Sequence, residues 1–309
     1  MTDHFNDKQN TAERFLDRDG LSFVVFPALE ETGLVRHGFA TRKGGVSRGC
    51  FESLNLSYAR GDERESVNEN VRRAAAFFDI TPGDMVTGWQ THTSNIRRIV
   101  KEDAGKGFTR ERDYKDIDGL ITDVPGVMLC TYHADCTPLF FVDPVHHAIG
   151  LSHSGWKGTW KRIGAVTIQR MHEAFATKPG DLITAIGPCA CGKCYEVGEE
   201  VAEAFMDEFG AQCLEESSSR LPSRYGRRGS GVFLKALQNG KYLLDQKAAN
   251  EHILLSAGVR PEHISISGLC TMERTDLFFS HRRMGNARGN GAAFLMLDSC
   301  AAAGSESRL

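Results

Sequence analysis

Apolar residues recur along the chain in two patterns, one typical of helices and one typical of short buried strands. Apolar side chains return every three or four residues in 62–80, 158–177, 199–209 and 245–258, which predicts four helices. Short apolar runs rich in β-branched and aromatic residues predict strands at 85–91, 96–100, 119–122, 126–132, 138–143, 148–154, 182–187, 263–267 and 292–297. Asp-Pro-Val-His-His separates the runs at 138–143 and 148–154, which predicts a hairpin with His146 and His147 exposed in its turn.

The order of these elements indicates the fold class. Strands cluster in the middle of the chain with helices before and after them, which favours an α+β (α/β) fold with a mixed β-sheet or sandwich flanked by helices over strict βαβ alternation. Only 217–231 has the Ser, Gly and Arg content of a long exposed loop. We therefore expect a single domain over 15–298, with flexible polar segments at 1–14 and 299–309.

Composition narrows the class of partner and the compartment. The 37 Lys and Arg against 40 Asp and Glu give a net charge of −3, so nothing favours a nucleic acid or a membrane surface, and a small partner is expected. The chain has neither a run of ~18 apolar residues nor an export signal, which predicts a cytoplasmic protein. Nine cysteines are an odd number for a disulfide framework, so they are packing residues, metal ligands or nucleophiles. Monomer and small homo-oligomer stay open.

Three metal-ligating side chains lie at the ends of predicted strands, namely His92, Cys136 and His153. Two imidazoles and one thiolate make a three-ligand zinc site whose fourth position is open, as in catalytic sites. Their separations of 44 and 17 residues match no short metal motif, and each residue alone also fits inert packing or an ordinary hydrogen bond. The residues alone leave these alternatives open.

The sequence segments around these three residues are more specific than the residues themselves. In order along the chain they include TRKGGVSRGCFESLNLSYARGD, GWQTHTSN, TYHADCTPLFFVDP, IGLSHSGWKGT, IGPCACGKCYEVGEEV, YLLDQKAANEHILLSAGV and TDLFFSHRRMGNARG. Over about residues 35–297 the chain resembles the polyphenol oxidase or laccase-domain family, also called YfiH-like proteins or peptidoglycan editing factors. The resemblance implies the YfiH-like fold.

The resemblance also implies roles for individual residues. His92, Cys136 and His153 match the family's zinc-binding and catalytic trio. Asp135, beside the thiolate, is implied as a group that supports the trio or carries a proton, although a turn-capping aspartate would look the same. Copper could occupy a site of this composition too.

Other matches suggest contacts to substrate. Arg42, followed by Gly44 and Gly45, would pair with an anion, and a surface turn is the alternative. Asn55 matches a position that is characteristic in relatives, so it is a candidate substrate contact. Lys157, with glycines on either side just before the predicted helix at 158–177, would suit a phosphate, and helix capping also explains those glycines.

Some residues depart from the family's pattern. Cys189, Cys191 and Cys194 form a C-x-C-x-x-C motif that suggests a second metal site, although three thiols without an evident fourth ligand favour free thiols. His281 and Met284 replace residues common in relatives, which puts an anion-binding role of Arg282 and Arg283 in doubt.

The family implies chemistry on purine nucleosides. We expect phosphorolysis of adenosine, inosine and methylthioadenosine to the base and a pentose 1-phosphate, together with deamination of adenosine, so the partners are a purine nucleoside and phosphate. The alternatives are copper-dependent oxidation of phenols, hydrolysis or peptidoglycan editing with Cys136 as nucleophile and His153 as its base, and a zinc-stabilised binding protein. The signatures of cytidine deaminases and zincins are absent from the sequence.

Overall fold

The computed structural model describes residues 12–215 and 226–298. The predicted mobile tail at 299–309, residues 1–11 of the predicted mobile N-terminal segment and residues 217–225 of the predicted loop lie outside the described residues. Arg14, at the end of that predicted N-terminal segment, already begins the first strand. In the described residues no helix is both long enough and apolar enough to cross a bilayer.

Most of the described chain is organised in short strands. In chain order the strands are β1 (Arg14–Arg18), β2 (Leu21–Val25), β3 (Val35–Ala40), β4 (Met85–Thr87), β5 (Ile96–Arg98), β6 (Gly119–Thr122), β7 (Met128–His133), β8 (Thr137–Asp143), β9 (Ala148–Ser154), β10 (Ile183–Ile186), β11 (Glu196–Val197), β12 (Leu234–Ala236), β13 (Tyr242–Leu244), β14 (Ile264–Ile266) and β15 (Gly291–Leu297). The α-helices are α1 (Pro27–Glu30), α2 (Arg64–Phe77), α3 (Trp156–Trp160), α4 (Ile163–Phe175), α5 (Glu199–Phe209), α6 (Gln246–Ser256) and α7 (His281–Met284).

Two six-stranded mixed sheets form a sandwich. The first has the order β1-β2-β3-β15-β7-β4 and the second β14-β10-β8-β9-β6-β5. Their facing side chains, including Leu129 and Leu295 from the first sheet and Phe140 and Leu151 from the second, form one buried cluster. Successive strand residues face opposite sides of a sheet, so Phe141 points away from Phe140 into a different cluster.

Helices cover both outer faces of the sandwich. Helix α2 packs Val67, Val71 and Ala74 on the first sheet, and α4 with α6 covers the second. Because both faces of both sheets are covered, the central strands carry long apolar runs, such as those at 139–142 and 292–297. A three-stranded sheet, β11-β13-β12, packs with α5 at one side. The predicted mixed sandwich flanked by helices is confirmed.

Several boundaries differ from the prediction. The strand 148–154 and the helix 199–209 are found as predicted, and α2 and α6 are each shorter at both ends. The single helix predicted over 158–177 is wrong: it divides into α3 and α4 because Arg162 adopts a left-handed backbone with φ of 55°. The strand predicted over 85–91 ends at Thr87, since the chain beyond it folds toward Asp118.

Candidate metal centre and active site

Strand pairing brings the predicted trio together at one edge of the second sheet. In the β8–β9 pair, Thr137 lies opposite Ser154, so Cys136 comes next to Gly155 just beyond the strand ends. In the β6–β9 pair, Gly119 lies opposite Ser152, which places Asp118 beside His153. Asp118 in turn holds the loop that carries His92 through the backbone N–H of His92.

The three ligand atoms converge. The side chains of His92, Cys136 and His153 each offer one donor atom, and all of these atoms lie within 4.8 Å of one another. Nε2 of His92 is 3.8 Å from Sγ of Cys136. His92 is exposed, Cys136 is half-buried and His153 is buried, so the group opens to solvent on the His92 side. Two imidazoles and a thiol with one open side fit a zinc ion that keeps a position for water or substrate.

Asp118, which the sequence analysis missed, organises this group. Its carboxylate accepts the backbone N–H of Thr91, His92 and Thr93 at 3.1, 3.0 and 2.8 Å, and it also accepts a hydrogen bond from Nδ1 of His153 at 2.9 Å. Ligating histidines commonly donate their second ring N–H to a carboxylate, which fixes the ring. The polar Asp118 directly before the apolar strand 119–122 was the available sequence signal.

Charge interactions within the group are strong. Burial alone would raise the pKa of the Cys136 thiol, but the charge and hydrogen bonding of His153 lower it to about 6. Burial disfavours the charged form of His153, but Cys136 and Asp118 together raise its pKa to about 10. Burial would also raise the pKa of Asp118, yet the hydrogen bond and charge of His153 hold it at about 2. Without a metal, the group favours a thiolate, an imidazolium and a carboxylate.

The backbone around the group is unusual at two positions, and a third position has no room for a side chain. His92 and Asp135 have φ of 64° and 84°, in the left-handed region that residues other than glycine seldom adopt. A Cβ atom at the buried Gly155 would lie 2.7 Å from Cδ2 of His92 and 3.0 Å from Sγ of Cys136. The space that glycine leaves at 155 is therefore filled by two of the three ligands.

Asp135 lies beside Cys136, as predicted, and is almost completely buried. One carboxylate oxygen accepts the hydroxyl proton of Thr271 at 2.7 Å, and the other accepts the backbone N–H of Arg282 at 2.7 Å. Its backbone oxygen accepts the N–H of Ala190 at 3.0 Å. Asp135 therefore ties three segments of the chain to the turn that presents the thiol.

Arg42 and Asn55 are held by the protein itself. The Arg42 guanidinium donates to the backbone oxygens of Glu52 and Thr275 at 2.6 and 3.0 Å and lies over the Phe279 ring. The N–H of Gly45 donates to Ser53 Oγ at 3.1 Å, so this amide already has a protein partner. Asn55 is fully buried and its side-chain oxygen accepts the N–H of Asn290 at 2.9 Å. Their contacts to substrate stay predictions.

Lys157 lies inside a helix and not before one, which corrects its predicted position. Helix α3 begins at Trp156, with Gly155 as its N-cap, so Lys157 and Gly158 belong to the first turn. Lys157 is exposed and its Nζ is 5.4 Å from the centroid of the Trp156 ring. The ammonium group is thus two residues from Gly155, close in sequence to the trio and open to solvent.

Arg288 is a second residue that the sequence analysis missed. It is only 8% exposed, and burial lowers the pKa of its guanidinium to about 10. Asp135 and Cys136 lie near enough to raise that pKa in opposition. Its Nε atom is buried without a hydrogen-bond partner among residues 12–215 and 226–298. A buried N–H of this kind is costly unless a ligand or a water meets it.

The predicted C-x-C-x-x-C motif separates in the structure. Cys191 and Cys194 lie together with Cys270, which the motif did not include, whereas Cys189 lies outside the group. Burial raises the pKa of the Cys189 thiol to about 12, as in an ordinary packed cysteine. The predicted hairpin is confirmed with His147 exposed in its turn. The expectation of an exposed His146 is wrong, because its ring is half-buried against the Asp143 carboxylate.

Comparison with known proteins gives consistent matches. Residues 36–298 match the family model described as multi-copper polyphenol oxidoreductase laccase. The chain is 36% identical over 264 residues to the purine nucleoside phosphorylase YlmD of Bacillus subtilis, covering 84% of this chain and 87% of that protein. It is 29% identical over 249 residues to an adenosine deaminase of an unknown prokaryotic organism, covering 80% and 88%.

A solved structure confirms the predicted fold. The crystal structure of the Bacillus licheniformis hypothetical protein YfiH superposes with a TM-score of 0.80 at 30% identity, covering 93% of this chain and 99% of that one. The family model spans every residue of the trio as well as Asp118 and Arg288. The chain therefore belongs to the multi-copper polyphenol oxidoreductase laccase family.

Proposed function

We propose that this chain is a zinc-dependent, cytoplasmic purine nucleoside enzyme. It would cleave adenosine, inosine and methylthioadenosine with phosphate and would also deaminate adenosine. The observation that carries the proposal is the convergence of His92, Cys136 and His153 within 4.8 Å, open to solvent on one side. The names of two relatives, a purine nucleoside phosphorylase and an adenosine deaminase, support the choice of reactions.

The trio would hold the zinc ion, and the residues fit it. The hydrogen bond to Asp118 occupies Nδ1 of His153 and leaves Nε2 as its ligand atom, while Gly155 leaves the space that the other two ligands occupy. When bound, zinc supplies Lewis-acid activation of water for hydrolytic deamination. The remaining work falls to the chain: Asp118 and Asp135 fix the ligand-bearing loops, and Asp135, next to Cys136 in the sequence, would carry the proton.

Phosphorolysis also requires a cationic place for phosphate next to the ribose. We assign this task to Lys157, Arg42 and the buried Arg288. In steady-state assays of phosphorolysis, Lys157→Ala should raise the KM for phosphate more than the KM for nucleoside. Lys161→Ala is the control, because Lys161 is also an exposed lysine. If Lys157→Ala changed only the KM for nucleoside, the phosphate assignment of Lys157 would be wrong.

A chromatographic time course with adenosine, run with and without phosphate on metal-quantified protein, tests the reaction. Adenine that forms only with phosphate establishes phosphorolysis, and inosine that forms without phosphate establishes deamination. If neither adenine nor inosine forms although the trio holds one zinc ion per chain, the proposal is rejected.

Substitution of the ligands tests the site. We expect His92→Ala, Cys136→Ala and His153→Ala each to lower zinc bound at the trio and nucleoside turnover together. His147→Ala and Cys50→Ala are matched controls, because both residues are exposed and lie outside the trio. Full zinc occupancy of the trio in all three variants would eliminate it as the metal site.

The hydrolase alternative rests on a specific observation. Cys136 has a pKa of about 6 and His153 one of about 10, which is the charge state of an activated cysteine nucleophile and its base. In that enzyme zinc would inhibit turnover and iodoacetamide would abolish it at once. In the proposed enzyme, a chelator would abolish deamination and zinc would restore it. If the chain were instead a copper-dependent phenol oxidase, it would turn over phenols only when copper is bound.

A further inference from the structure

We propose that Cys191, Cys194 and Cys270 bind a second zinc ion, with a structural role separate from the trio. The three sulfur atoms lie within 4.8 Å of one another, although Cys270 is 76 residues beyond Cys194 in the chain. Thiolates at C-x-x-C spacing joined by a distant cysteine are typical ligands of structural zinc. The inference does not depend on the proposed nucleoside activity.

The local backbone has the form that such a site needs. The N–H groups of Cys194 and Tyr195 both donate to the backbone oxygen of Cys191 at 3.0 Å, so the C-x-x-C segment makes one tight turn that presents both thiols. From the same turn, the N–H of Cys191 donates to Sγ of Cys270 at 3.3 Å. An N–H aimed at sulfur favours a thiolate at that position.

A fourth ligand lies within reach. Oε1 of Glu273 is 3.5 Å from Sγ of Cys194, and a carboxylate oxygen is an accepted zinc ligand. Glu273 lies outside the 4.8 Å group, so its exposed side chain would have to turn toward the other two sulfur atoms to complete a tetrahedron with the three thiolates. Cys189 takes no part: it is completely buried and its sulfur contacts the backbone oxygen of Ala190 at 3.5 Å.

The position of the cluster indicates what the ion would stabilise. The two chain segments that carry these cysteines also hold Asp135, through the N–H of Ala190 at 3.0 Å and the hydroxyl of Thr271 at 2.7 Å. A zinc ion that joins the two segments would therefore keep the hydrogen bonds to Asp135, the neighbour of Cys136, in place. Binding would release the protons of the thiols, with no change of oxidation state.

Metal stoichiometry on protein purified under reducing, chelator-free conditions tests the proposal. The wild-type chain should hold two zinc ions, and His92→Ala/Cys136→Ser should hold one. Cys191→Ser and Cys270→Ser should each lose one ion and retain the trio's ion, whereas Cys50→Ser, at an exposed cysteine outside both groups, should retain both.

A second measurement covers the case in which the cysteine variants fail to fold. Cobalt added to metal-free His92→Ala/Cys136→Ser protein should give the intense charge-transfer absorption of a tetrahedral site with several thiolates. Because this variant lacks Cys136, the absorption would report on Cys191, Cys194 and Cys270 and not on the trio. The proposal is overturned if the double variant binds neither zinc nor cobalt, or if Cys191→Ser and Cys270→Ser both keep two zinc ions.

Discussion

The carboxylate of Asp118 accepts a hydrogen bond from Nδ1 of His153 at 2.9 Å, and the same carboxylate accepts the backbone N–H of His92 at 3.0 Å. One buried side chain thus orients two of the three predicted metal ligands from elements that are distant in sequence. Asp118 orients the His153 ring directly, through the ring nitrogen Nδ1. It orients the His92 ring indirectly, through the backbone of the loop that carries His92.

Replacing Asp118 should weaken the metal site without removing a ligand. In Asp118→Asn the amide nitrogen cannot accept the N–H groups that now converge on the carboxylate, so we expect zinc affinity to fall roughly 10- to 100-fold. Competition with a chromophoric chelator measures this change. Asp123→Asn is the control, since Asp123 follows the opposite end of β6 and pairs with Arg98 in an exposed ion pair. An unchanged affinity would show that Asp118 does not support the ligands.

A methyl group at residue 155 should disturb the trio directly. The Cβ of Gly155→Ala would lie 2.7 Å from Cδ2 of His92, which is closer than carbon atoms approach, so a ligand must move. We expect lower zinc occupancy and lower turnover. In Gly158→Ala the nearest atoms to the new Cβ lie at 3.4 Å, an ordinary contact, so both quantities should be retained. Equal behaviour of the two variants would refute this account.

The unpartnered Nε of Arg288 leads to a prediction about substrate. Arg288→Lys keeps the positive charge but removes that N–H, and a lost hydrogen bond to a charged group costs about 1.5–3 kcal/mol. We therefore expect the KM for phosphate to rise roughly tenfold or more, beyond any change in the KM for nucleoside. Steady-state kinetics and a thermal melt decide the matter, because a lower Tm with unchanged KM values would assign Arg288 to the fold alone.

His37 makes the stability of the fold depend on pH. Nε2 of this buried residue accepts the N–H of Phe26 at 2.8 Å, and burial, assisted by the charge of Arg14, lowers its pKa to about 3. The unfolded chain takes up a proton near pH 6.5 and the folded chain does not, so this contribution is complete above about pH 6.5 and declines as the pH falls toward 3.

His37→Gln keeps a hydrogen-bond acceptor and removes the titration. From about pH 6.5 downward, we expect the free energy of unfolding of the wild type to fall by up to about 1.4 kcal/mol per pH unit more steeply than that of the variant. Urea titrations at several pH values measure both slopes. The exposed His147→Gln should keep the wild-type slope, and parallel slopes in wild type and His37→Gln would contradict the assignment.

The sequence by itself determined the central strands and the three candidate ligands. Strands such as 148–154 are buried on both faces, so their apolar runs survive as a local signal, and α5 carries a clear helical period. The trio was recognised through the motifs that surround it. By contrast, β1 is mostly exposed and β3 contains His37 and Gly38, so neither has an apolar pattern that a local reading could detect.

Only the tertiary structure decided which residues act together. Asp118 reaches His153 through the register of β6 with β9, and Cys270 joins Cys191 and Cys194 through contacts between loops that are remote in sequence. The break between α3 and α4 depends on one left-handed residue inside an otherwise helical pattern. Hydrogen-bond partners and metal ligands are chosen by distance in space, whereas periodicity and motif spacing report only on neighbours along the chain. The candidate ligands were predictable because family motifs surround them, and the residues that support them carry no such local signal.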